Sequence, residues 1–268
     1  MKKKLFTAVL SVLLICTLLA GCSSGSASTD SSSSGNDENT LVIGVDDQFP
    51  PMGYRDDDGN IVGFDIDLAQ AVADKLGMEL KVQQIDWSAK ELELDQRNID
   101  AIWNGLTITD ERKEAMDFTD PYLQNAQVIV VKKDSDIATK ADLSGKTVGV
   151  QKSSSAKDAL DADAIESELK EVVEYEENVS ALQDLGIGRT DAVVVDKVVA
   201  DWYIKDENAD YKVLDETLAP ELYGVAVKKG NTELLNKIQT AFDEIVADGT
   251  AAQISEKWFG SDIIYTGK

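Results

Sequence analysis

The sequence predicts an α/β fold of two lobes, each a parallel sheet covered by helices, joined by two crossing segments. Three observations carry this. Between residues 41 and 118, short β-rich runs alternate three times with helical patterns. A second alternation begins at Thr147 and ends in the apolar run 192–195. Two further helical patterns then close the chain, after a strand that leads back out of the second alternation.

Residues 41–45 are short, apolar and β-rich, and read as a buried strand. The strand runs into residues 46–52, where Pro50 and Pro51 forbid helix and ladder pairing and fix a loop. Residues 56–60 are a turn signal. Phe64, Leu68, Val72 and Leu76 recur every four residues, with Asp65 near the start and Gly77 just past the end, which makes an amphipathic helix. Met78, Leu80 and Val82 alternate with Glu79 and Lys81 as a half-buried strand does. Ser88 and Glu91 have capping-box spacing for a helix to about Gln96, and residues 99–103 form the next strand. Thr109 is the expected N-cap of a helix carrying residues 113–118.

Residues 127–132 lead out of this unit, and crossings are expected near 128–132 and 224–227. In the second unit, residues 147–150 and 171–175 are strands, 156–160 and 179–185 are helical, and 192–195 is a buried strand ending on Asp196. A helix with Trp202 and Tyr203 follows, then a strand at 222–227. The helix 233–247 is apolar at Leu234, Leu235, Ile238, Phe242 and Ile245, and a shorter one holds Ile254 and Trp258. The expected division is residues 41–130 plus 226–268 for one lobe and 131–225 for the other.

The N-terminus stands apart. Lys2, Lys3 and Lys4 precede an apolar stretch at 5–19 too short for a stable span, so residues 1–21 read as a signal peptide. Leu19, Ala20, Gly21 and Cys22 resemble the lipobox of bacterial lipoproteins, which makes Cys22 the lipidation site; the alternative is an ordinary secretory signal with an incidental cysteine. Residues 22–40 are rich in Ser and Gly and read as a disordered tether. Cys16 and Cys22 are the two cysteines, so no disulfide is expected in the globular part. The formal charge is −24, with 26 basic against 50 acidic residues, which argues against a nucleic-acid partner. The sequence contains no histidine, excluding His-based nucleophilic centres and His-ligated zinc. No metal, cofactor or catalytic residue is expected.

Binding loops in such folds lie at the carboxyl ends of strands. Residues 46–52, Asp86 with Trp87, and residues 104–112 each follow a strand and converge on one edge. Arg112 falls in the first turn of a helix, where a cation faces unpaired N–H groups of like sign. Its compensating anion is either a protein carboxylate such as Asp110 or Glu111, or the carboxylate of a ligand.

Six stretches, 46–52, 61–68, 106–112, 117–122, 191–196 and 256–260, resemble in that order the polar amino-acid family of bacterial extracellular solute-binding proteins, the receptors of ABC importers. The resemblance runs from Leu41 to about Gly260. It implies a periplasmic-binding-protein type II-like fold, with two Rossmann-like lobes on a two-segment hinge that close around one free amino acid. It implies that Arg112 clamps the ligand's α-carboxylate with the Thr107 hydroxyl and backbone N–H groups near Gly105 and Thr107. Asp196 takes the α-ammonium, with a carbonyl from Asn104 or Gly105. Gln151, Ser154 and Ser155 mark the second-lobe loop, Phe49 and Trp87 sandwich the ligand, and Asp46 meets its side-chain end. An ABC permease is the implied partner of a monomeric, extracytoplasmic protein anchored to the cell membrane by lipid.

Simpler roles stand beside these. Asp196 suits a helix cap, residues 153–155 a capped loop, Phe49 and Trp87 a core, and Trp103 either core or cleft. Met52, Ser153 and Asn104 depart from the family pattern. Two other functions fit the same chain: an exported carboxylate-based dehydratase on this fold, and a ligand-sensing receptor domain.

Overall fold

The structure is a computed structural model that describes residues 39–267, residue 206 excepted. The signal segment, Cys22 and most of the Ser-rich tether lie outside the described residues.

The first sheet is built from β1 (Thr40–Val45), and the loop after it carries a small three-stranded sheet of β2 (Gln48–Phe49), β3 (Gly53–Arg55) and β4 (Ile61–Val62). Helix α1 (Phe64–Leu76) follows and stops at Gly77, whose left-handed φ of 68° lets its N–H reach back to the Ala73 and Asp74 carbonyls. Strand β5 (Glu79–Gln84), helix α2 (Lys90–Asp95), strand β6 (Ala101–Ile102), helix α3 (Asp110–Ala115) and strand β7 (Met116–Phe118) complete the first pass.

The second unit comprises β8 (Leu123–Lys132), β9 (Thr147–Gln151), α4 (Ser155–Ala162), β10 (Glu171–Tyr175), α5 (Asn178–Gly186), β11 (Ala192–Asp196), α6 (Lys197–Lys205) and β12 (Tyr211–Tyr223). The chain then returns through β13 (Ala226–Lys228) to α7 (Thr232–Ala247) and α8 (Thr250–Phe259).

The first sheet has the order β5-β1-β6-β13-β7 and the second β10-β9-β11-β8-β12. Only part of each is parallel. Strand β1 runs parallel to β5 and β6, and β9 to β10 and β11, but β13 and β8 are antiparallel to their neighbours. The sheets are therefore mixed, because the strands that lead out of and back into each sheet enter it against the βαβ direction.

Several local expectations need correction. Residues 113–118 do not form one helix: Met116 leaves helical geometry at φ −143°, and residues 116–118 pair with β13. That pairing joins residues more than a hundred apart, which local pattern does not encode. Ser88 does not cap α2. Asp86 caps a 3-10 turn over Trp87–Ala89 that precedes α2, accepting from the Ser88 N–H at 2.8 Å and its hydroxyl at 2.6 Å, and α2 itself starts after Ala89 without a side-chain cap. Residues 128–132 are not a crossing but lie inside β8, paired on both sides. The chain passes between sheets at residues 119–122 and again at Gly224 and Val225, which interrupt the strand expected at 222–227. The two passages bond to each other, Thr119 N–H to Val225 O at 2.9 Å and Val225 N–H to the Thr119 hydroxyl at 3.0 Å.

The C-terminal helices do return to the first sheet. Phe242 of α7 meets Trp103 and Tyr122 at ring separations of 6.3 and 6.0 Å, and Phe259 of α8 meets Phe64 edge-on at 5.0 Å. Trp103 is wholly buried there, so it belongs to the core and not to the cleft. Each such ring or branched side chain contributes roughly 1.5–3 kcal/mol by leaving water. No helix among the described residues is long and apolar enough to cross a membrane.

Candidate functional site: a charged cleft between the sheets

The loops after β1, β5, β6, β9 and β11 meet around a narrow cleft. Asp46, Phe49, Trp87, Asn104, Gly105, Arg112, Gln151, Ser154, Ser155 and Asp196 line it. Of the residues expected to meet a ligand, Thr107 alone falls outside the lining.

Arg112 is placed by helix α3. Thr109 caps that helix, its hydroxyl accepting the Arg112 N–H at 3.1 Å, and one guanidinium nitrogen donates to the Thr107 carbonyl at 2.9 Å. Asp110 and Glu111 are exposed while Arg112 is buried, and among the described residues no carboxylate comes within ion-pair distance of it. Burial lowers its pKa, against the more distant pull of Asp158 and Glu221. The charge is desolvated and its anion is missing from the protein.

The turn before Arg112 is held from below. Gly105 has a left-handed φ of 55°, and a Cβ there would sit 2.7 Å from the Phe49 ring. Its N–H donates to the wholly buried Asp65 at 2.6 Å, and the Tyr122 hydroxyl donates to the same carboxyl at 2.8 Å. The Gly105 N–H is therefore taken by Asp65, while Gly105 itself lines the cleft. Asn104 is only half engaged, since its buried Nδ2 has no hydrogen-bond partner among the described residues. Its Oδ1 accepts the Asp46 N–H at 2.9 Å and its Nδ2 lies against Gly53, so it fixes one strand-end loop to another.

Contacts from the two sheets close the cleft. Gln151 donates to Asp46 at 2.7 Å and is itself held by Asn178 at 3.0 Å. The Thr107 hydroxyl lies 2.9 Å from that of Ser155 and donates to Glu221 at 2.8 Å. Ser154 is the N-cap of α4, accepting the Lys157 N–H at 3.2 Å, and also donates to the Gln151 carbonyl at 2.7 Å. Lining and capping are thus both true of it. Burial lifts the Asp46 carboxyl to about 6, against the opposing hydrogen bond from Gln151.

Asp196 does not act as a helix cap. Its carboxyl accepts from the Tyr223 hydroxyl and from Asn125 at 2.9 Å, while Asn125 Oδ1 accepts the Val198 N–H at 3.2 Å at the start of α6. Glu221 lies beside it, accepting from Gln127 at 2.9 Å. Burial, and then the Glu221 carboxylate, push Asp196 well above the usual carboxylate range. Like Arg112, it makes no direct ion pair among the described residues.

Sequence reasoning missed Asp65, Lys90, Asn125, Gln127, Glu221 and Tyr223. Glu221 and Tyr223 stand two apart and share one strand face, a signal hidden because β12 begins far earlier than the run at 222 suggests. No group of metal-ligating side chains of sufficient size occurs among the described residues.

Two mixed α/β lobes, a double crossing between them and a buried cleft with separate uncompensated cation and anion define a two-lobed ligand-binding protein. The chain belongs to the bacterial extracellular solute-binding proteins, family 3, whose pattern residues 41–261 match. The L-cystine-binding protein TcyJ of Escherichia coli (strain K12) is 36% identical over 226 residues, covering 84% of each chain. A substrate-binding protein of an ABC uptake transporter from Streptococcus pneumoniae with bound histidine superposes with a TM-score of 0.83 at 40% identity, covering 85% of this chain and 95% of that one. An ancestral arginine-binding protein bound to glutamine gives 0.79 at 44% identity, covering 84% and 100%.

Proposed function

We propose that the chain is the substrate-binding component of an ABC importer that captures one free amino acid between its lobes and hands it on chemically unchanged to a membrane permease. One observation carries this reading: the cleft buries Arg112 of α3 and Asp196 at the end of β11 with no direct ion-pair partner among the described residues for either, and a zwitterion supplies both. The ligand's carboxylate goes to Arg112 and its ammonium to Asp196, between the rings of Phe49 and Trp87. The bonds Gln151–Asp46 and Thr107–Ser155 are those an incoming ligand exchanges for its own. Relatives that bind cystine, histidine or glutamine support the class of ligand.

The two lobes divide at the passages 119–122 and 224–225, which moves the first expected boundary from 130 to about 122. Lipidation at Cys22, the tether of residues 22–40 and a monomeric state belong to the same proposal. Both elevated cleft carboxyls, Asp46 and Asp196, are what a dehydratase on this fold needs. Burial, and for Asp196 the neighbouring Glu221, account for the elevation without catalysis.

Thermal-shift screening of free amino acids, followed by product analysis, tests the reading. At least one stabilises the protein and is recovered intact, and Arg112→Ala loses that response while unfolding cooperatively; turnover, or no response to any, contradicts it. Removing one member of a buried charged contact costs on the order of 2–5 kcal/mol, so the loss is large.

A further inference from the structure

Lys90 is the first residue of α2 and is buried, at 4% exposure. Its ammonium donates to the Ser153 carbonyl at 3.0 Å, across the cleft from its own sheet, and to the Trp87 carbonyl at 3.3 Å, and it sits 5.1 Å from the centre of the Trp87 ring. Ser153 reaches it by adopting a left-handed φ of 53°. Among the described residues no carboxylate lies within ion-pair distance of this ammonium. Asp86 and Glu91 on its own segment and Asp158 on α4 attract it from farther off, Lys152 faces Asp86, and Arg112 repels it. Carbonyls and a ring compensate a desolvated ammonium only in part. Burial first, then Arg112, lower its pKa to about 8.

We infer that Lys90 is a specificity-determining residue of the cleft, a second buried cation behind Trp87 and Arg112 that opposes closure of the empty lobes and is neutralised through space by the ligand's carboxylate. This rests on the proposed amino-acid function. It makes closure depend on an anionic group more steeply than Arg112 alone does, because Lys90 meets Ser153 only when the lobes are together. Lys90 is a positioning residue, acting on the closed geometry and not by touching the ligand.

Small-angle X-ray scattering on the ligand-free chain, wild type against Lys90→Met and Lys90→Arg, tests it. The account expects Lys90→Met to raise the closed-to-open ratio severalfold, since an apolar side chain enters the closed site without a buried charge, and Lys90→Arg to leave it near wild type. No change, or a shift of Lys90→Met towards the open form as loss of a mere latch produces, overturns it. Calorimetry with L-histidine, L-arginine and L-glutamine and with their α-amides is the second arm. The preference for acid over amide falls about three- to tenfold in Lys90→Met; an equal weakening of acid and amide overturns the proposal. Absence of binding by all three acids to the wild type counts against the amino-acid reading, while the scattering result still decides Lys90.

Discussion

Asp65→Asn is the substitution whose outcome follows most fully from the structure. The Asp65 carboxyl is wholly buried under the Gly105 turn and lifted from 3.8 to about 7, burial outweighing the hydrogen bonds from Gly105 and Tyr122. The folded state thus holds this proton more tightly than the unfolded chain does. Its contribution to stability is full below pH 3.8, falls as pH rises through about 7, and is level above. A rise of that size corresponds to about 4 kcal/mol between those limits. An asparagine does not titrate, keeps an acceptor for the Gly105 N–H and stands in for the neutral, protonated carboxyl, with a loss of about 1 kcal/mol for imperfectly matched hydrogen bonds. Urea unfolding from pH 4 to pH 8 therefore finds the mutant about 1 kcal/mol less stable at the acid end and about 3 kcal/mol more stable at the alkaline end. Asp65→Leu, which strands two buried donors, loses about 2–6 kcal/mol at every pH. A wild-type-minus-Asn difference that stays flat with pH, or an Asn mutant weaker than wild type at pH 8, refutes the reasoning.

Gly105→Ala places a Cβ 2.7 Å from the Phe49 ring in a left-handed backbone. Strain and overpacking together cost about 2–4 kcal/mol in chemical denaturation, and ligand affinity falls with them. Asp46, lifted to about 6, favours the closed empty cleft while protonated; the closed fraction in scattering therefore drops as pH rises through about 6, and Asp46→Asn removes that dependence. Gln151→Leu strands Asp46 and Asn178 together and costs about 2–6 kcal/mol of the closed form, seen as an opened ligand-free ensemble.

Much of the architecture is written locally. The spacing of Phe64, Leu68, Val72 and Leu76 with Gly77 behind them specifies α1, and the strand-end position of Asp46, Arg112 and Asp196 places them on one cleft. Thr109 is legible as a cap because its role needs only the next three residues. What escapes a local reading depends on distant partners. Met116, Asp117 and Phe118 become a strand only because β13 lies beside them, and no glycine or proline between Lys113 and Phe118 announces the break. Asp65 reads as an ordinary first-turn acid until Tyr122 and Gly105 close over it. Lys90 and Glu221 read as surface charges, and the burial of the first and partial burial of the second arise only where the two sheets meet. Asn104 is visible in the sequence as a cleft residue, but its use as a tie between loops is not.

The zwitterion clamp is tested most directly by calorimetry of free amino acids alongside their N-acetyl and α-amide derivatives. With Arg112 and Asp196 each buried without a direct ion-pair partner among the described residues, a bound amino acid occupies one site per chain, and blocking either end weakens binding by roughly a hundredfold or more. Binding of a blocked derivative within a few-fold of the free amino acid contradicts the account.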